Sequence, residues 1–180
     1  MTQGFASTDR QNVARVFALV FGIGYLIAGI IGFAATGING FVSNGNDSLL
    51  GFDLNVFHNI VHFTIGGGLI VASRLRDVSI TQGVLIGVGL FYTLATLLGF
   101  LNYLQIISIN GATAADNFLH LFSGASALIF GLLGTRQSGD AERDTAVTAG
   151  AVVGRDGEQR SFEDRRALWD TDETYREEAY

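Results

Sequence analysis

The chain has 180 residues, of which 48% are hydrophobic and only 16% charged, well below the roughly 25% charged residues of an ordinary soluble domain. Its formal net charge is -6, its 11 basic residues are all Arg, and it contains no Cys and no Pro. Disulfides, thiolate metal sites and Cys nucleophiles are therefore excluded, and no basic patch offers a footing for nucleic acid.

The first segment is residues 1–15; its start, 1–8, lacks the early positive region of a signal peptide, and the apolar run after Arg15 is too long for one. It is expected to lead into a retained anchor. From 16 to 38 the only ionisable side chain is Tyr25, and from 78 to 115 the only ones are Tyr92 and Tyr103. Such runs reach the roughly 20 apolar residues that a membrane-spanning helix needs. The pattern predicts an all-α membrane protein with four transmembrane helices, at about 16–37, 55–73, 78–104 and 117–135. The transmembrane domain is thus expected over 16–135. Polar loops over 38–54 and 105–116 separate the first pair and the second pair of helices.

Arg10 and Arg15 precede the first helix, Arg74 and Arg76 join the second to the third, and Arg136 and Arg143 follow the fourth. The other two loops carry only Asp47, Asp53 and Asp116. The positive-inside rule then puts both termini in the cytoplasm and makes the chain a multi-pass plasma-membrane protein. The tail from 137 to 180 has 12 acidic residues and 6 Arg. Low hydrophobicity with high charge predicts a disordered acidic tail. One short helix near 161–169 is expected, capped by Ser161, with Phe162, Leu168 and Trp169 available to dock.

An internal repeat is the most informative feature. Gly22, Tyr25, Ala28, Gly32 and Phe33 match Gly89, Tyr92, Ala95, Gly99 and Phe100 at a constant offset of 67. Asn59, His62 and Gly66 match Asn117, His120 and Gly124 at an offset of 58. The chain reads as a duplicated helical hairpin with a parallel pseudo-two-fold repeat. Ala28-x-x-x-Gly32 and Gly83-x-x-x-Gly87 add small-residue patterns that allow close helix approach. Gly66-Gly67-Gly68 makes the second helix either closely packed or bendable.

Polar groups inside a bilayer face the bundle interior. The plainest role for Asn59, His62, Asn117 and His120 is to tie each helix to its neighbour, with Tyr25 and Tyr92 as partners. The stripe on the second helix extends outward through His58 and Asn55. A functional role has His62 and His120 facing each other, able to ligate a haem iron or another transition metal. Such a site could equally hold a quinone or lipid headgroup, or relay protons. Two histidines are few for a metal; Asp53 and Asp116, at the helix mouths, would add a contact or cap the helices. No Ser/His/Asp arrangement with catalytic context is present, so no enzyme activity is expected.

Asn55-Val-Phe-His-Asn-Ile-Val-His62 and Asn117-Phe-Leu-His120-Leu, with the Arg-bearing turns, resemble a family of small bacterial and archaeal membrane proteins known as a domain of unknown function. The resemblance covers about 13–136 and not the tail. It implies a four-helix plasma-membrane protein and supplies no activity. The leading expectation is a structural, accessory or assembly component of a membrane complex, with the lipid bilayer, other membrane proteins or further copies of itself as partners and no cofactor. A small-molecule site and a haem or metal site are the alternatives.

Overall fold

The computed structural model describes residues 12–42 and 48–177. Helix α1 spans Val13–Thr36. Asn12 caps it, its Oδ1 accepting from the Ala14 N–H at 3.0 Å. The same side chain donates to the Gly134 carbonyl at 3.1 Å and to Ser138 at 3.2 Å, tying the start of the first helix to the fourth. Gly37, at φ 67°, ends α1 in a conformation that glycine adopts without steric cost. After the short connection, strands β1 (Ser48–Leu49) and β2 (Phe52–Asp53) pair antiparallel. Leu50 and Gly51, both at positive φ, form the two-residue turn that suits a twisted hairpin.

Helix α2 spans Val56–Arg74 and α3 spans Val78–Phe100. Asp77 caps α3, accepting from the Ser79 backbone N–H at 2.9 Å and from the Ser79 hydroxyl. These two bonds favour the charged form and hold its carboxyl below the usual range. The third helix stops at Phe100, short of the expected 104. Asn102 takes a left-handed conformation, φ 61°, and the Tyr103 N–H turns back to the Leu98 carbonyl at 2.8 Å. That closure satisfies the last carbonyls and ends the helix. A 3-10 turn, Gln105–Ile107, follows.

Helix α4 runs Ala115–Glu177. The helix continues into the stretch for which composition predicts disorder. No Pro interrupts it, and its Ala, Arg and Glu are strong helix formers. Thr145 and Thr148 satisfy their hydroxyls on the carbonyls of Ala141 and Asp144. The side chains of Ser161, Phe162, Leu168 and Trp169, expected to cap and dock, lie outside the described residues. By contacts the chain divides into one unit ending at Ser138 and a second beginning at Gly139.

Among the described residues, four helices are long and apolar enough to cross a membrane. Their outward residues are large and apolar, such as Val20 and Ile27 on α1, Leu90 and Leu94 on α3, and Phe122 and Ile129 on α4. Their inward residues are small or polar. The buried positions of α1 are Ala14, Ala18, Gly22, Tyr25, Gly29 and Gly32. This inverts the soluble-protein pattern and matches helices that associate by close packing in lipid. An apolar cluster of Ala14, Ala18, Leu69, Leu85 and Ala127 fills one end of the bundle. Ala95, Leu104 and Ile109 form a second under the 105–116 loop. Between them lies a layer of His, Tyr and Asn.

Candidate metal centre

Glycines bring the helices close enough to build that layer. A Cβ added at Gly22 would stand 2.8 Å from the Gly66 carbonyl oxygen, and one at Gly66 would stand 2.8 Å from the Gly22 oxygen. Gly89 abuts Leu128 and Gly124 abuts Thr93 in the same manner. Nearer the outer end, Gly32 makes a notch that Asn59 fills, and Gly99 makes one that Asn117 fills. Gly83 and Gly87, expected to mediate close approach, meet nothing within 4 Å, and neither do Gly67 and Gly68.

The asparagines are therefore helix ties. Asn59 and Asn117 are fully buried. Asn59 Nδ2 donates to Thr36 Oγ1 at 2.8 Å, and Asn117 Nδ2 donates to the Gly111 and Ala112 carbonyls, both at 3.1 Å. Asn55 caps α2 by accepting from the His58 N–H at 2.8 Å, and its Nδ2 holds the second loop at the Ile106 carbonyl, 3.0 Å away. Asn55, not Asp53, is thus the cap; Asp53 sits in β2.

The tyrosines stand against the histidines. The Tyr25 ring lies 5.1 Å from His62 and the Tyr92 ring 5.1 Å from His120, centroid to centroid. The two tyrosine rings are 5.4 Å apart. Tyr25 shares a 2.5 Å hydrogen bond with Ser123, a partner the sequence reading did not single out. Tyr92 is 1% exposed. Its own hydroxyl is buried without a hydrogen-bond partner among the described residues.

All three histidines of the chain converge. His58, His62 and His120 are buried, and one ring nitrogen from each lies within 4.8 Å of the others. The His58 and His62 rings are 4.4 Å apart, and those of His58 and His120 are 6.2 Å apart. Asp116 Oδ1 lies 4.0 Å from His58 Nε2. Sequence reasoning put Asp116 just outside the membrane, in a loop. It is instead the second residue of α4, only 4% exposed, in the turn where a helix dipole favours negative charge. It also treated His58 only as an outward extension of a stripe. The legible signal was spacing. His58 and His62 are four residues apart on one helix, as are Asp116 and His120, so each pair shares one helix face.

This set of donors suits a metal. Zn–N bonds of about 2.0–2.1 Å put tetrahedral donors about 3.3–3.4 Å apart, against the 4.8 Å within which the three ring nitrogens lie. A buried carboxylate is normally paired or metal-bound, and the group of opposite potential charge within ion-pair distance of Asp116, among the described residues, is His58. Buried nitrogens His62 Nε2 and His120 Nδ1 have no hydrogen-bond partner among the described residues. Three imidazoles, with a carboxylate beside one of them, make a set for a bare ion rather than for the one or two axial ligands of a haem.

Beside the cluster is a cavity of about 240 Å³, between α2 and α3 and under the 105–116 loop. Its walls are mostly apolar, and His58, His62, His120 and Tyr92 are its polar groups.

The bundle is thus that of a multi-pass membrane protein with a buried polar cluster between its helices. The chain belongs to the family described as Domain of unknown function (DUF4383), which matches residues 15–133. No curated protein and no solved structure gives a significant match.

Proposed function

We propose that this protein binds a divalent transition-metal ion inside the membrane, held by His58, His62 and His120 with Asp116 as the fourth ligand. The convergence of the three imidazoles carries this reading. Sequence alone favours an accessory or assembly role; four buried potential ligands on two helices shift the weight to a binding role.

The two hairpins are read as copies of one unit. The recurring contacts support this: glycine against asparagine, and tyrosine against histidine, at matching positions. In that frame His62 matches His120, and His58 matches Asp116. Duplication thus doubles a two-ligand helix into a four-ligand site. The Arg-bearing turns support a plasma-membrane orientation with both termini in the cytoplasm, which puts the site in the outer half of the bilayer.

The test is elemental analysis of the full chain purified in mild detergent. About one equivalent of zinc, iron or another first-row metal per chain is expected, with more than a tenfold loss in His58→Ala and His120→Ala. A metal-free wild-type protein that also fails to take up added Zn²⁺ or Co²⁺ would end the metal reading.

A further inference from the structure

The cavity beside the histidines has a shape and chemistry of its own. Phe91 and Leu94, at its edge, are half exposed and belong to the outward apolar face of α3. Ala95, Leu98 and Leu104 line it deeper in. Its edge therefore meets hydrocarbon rather than water, and a molecule reaching it arrives from the lipid phase. At about 240 Å³ it falls below the roughly 300–1,000 Å³ that encloses a drug-sized ligand. It accommodates a head and leaves a tail in the bilayer.

The polar groups decide what head fits. No Arg lines the cavity and the chain contains no Lys, so nothing there neutralises a phosphate or a carboxylate. What it offers is a row of imidazoles and a phenol. Tyr92, 1% exposed, has a hydroxyl with no hydrogen-bond partner among the described residues. The ring nitrogens of His62 and His120 that lack a partner among the described residues are the ones assigned to the metal, which leaves the Tyr92 hydroxyl for a ligand. Neutral donors and acceptors on one side, and the rings of Phe57 and Phe91 on the walls, suit a flat ring carrying carbonyl or hydroxyl oxygens.

We propose that this cavity binds the ring of a lipid-soluble quinone, entering laterally between α2 and α3, with an oxygen on the Tyr92 hydroxyl and its tail in the bilayer. The site adjoins the proposed metal centre but does not depend on the ion. Leu94→Trp, at the lipid-facing edge, closes the entrance without disturbing the core. Ala95→Leu fills the interior.

The experiment is photolabelling of the full chain in detergent with an azido-substituted, short-tailed benzoquinone, alongside a photoreactive fatty acid of equal tail length. Saturable quinone labelling of α2 and α3, competed by the unlabelled quinone, is expected. It should fall at least tenfold in Leu94→Trp and Ala95→Leu while metal content stays at the wild-type level. Tyr92→Phe should weaken quinone binding about fivefold, the loss of one hydrogen bond to a buried group. Labelling unchanged in Leu94→Trp, or equal labelling by the fatty acid, overturns the proposal. A metal-free wild-type protein with Leu94→Trp-sensitive quinone labelling would overturn the metal centre and uphold the quinone site.

Discussion

At Gly32 and Gly99 a missing side chain decides the packing. Each opens the notch that an asparagine of the next helix occupies. Gly32→Ala and Gly99→Ala drive a methyl group into a buried amide and are expected to lose about 1–3 kcal/mol of stability, read as unfolding in detergent. Gly67→Ala and Gly68→Ala meet open space and are expected to lose nothing, with a gain of up to ~1 kcal/mol from helix propensity. The tyrosines make a second contrast. Tyr25→Phe removes the bond to Ser123 and should cost about 0.5–1.5 kcal/mol. Tyr92→Phe, which breaks no bond, should stay within about 0.5 kcal/mol of wild type in the same assay.

Among the elements, α2 carries the most. Its cap, Asn55, both starts the helix and fastens the 105–116 loop, while two turns of the same helix deliver His58 and His62. Loss of a cap costs about 0.5–2 kcal/mol. Asn55→Ala is expected to show that loss together with weaker metal affinity, although no ligand is removed, because His58 lies in the turn that Asn55 anchors. Zinc titration of the metal-depleted protein against wild type checks it; unchanged affinity would show that α2 positions His58 without the cap. Helix α4 teaches a different lesson. Charge and low hydropathy argue for disorder in residues 137–180, and the Pro-free, Ala-, Glu- and Arg-containing sequence there carries helical backbone through Glu177. A compositional rule counts apolar residues available to a core. It does not register that a helix needs no core to satisfy its own backbone.

For the molecule as a whole, orientation is open to direct measurement because the chain contains no Cys. Single cysteines at Leu50 and Asn110, in the two Arg-free loops, are expected to react with a membrane-impermeant maleimide on intact cells. A cysteine at Leu75, in the Arg-bearing turn, should react only after permeabilisation. The reverse pattern would invert the topology and place the histidine cluster in the inner half of the bilayer.

The sequence by itself determined the four spans, because a bilayer demands a long apolar run from every helix that crosses it, and such runs are visible without knowing what they touch. It also brought out the Asn/His stripes, since polar residues are scarce in membrane helices. It left Asn and His in one category. Only the tertiary structure separated them, turning Asn59 and Asn117 into glycine notches and His58, His62 and His120 toward one another. Ser123 as the partner of Tyr25, Asp116 as a buried neighbour of His58, and the cavity between α2 and α3 were likewise decided in three dimensions. Each depends on how far one helix is rotated and shifted against another. That is set by the fit of many side chains at once, and no local stretch of sequence records it.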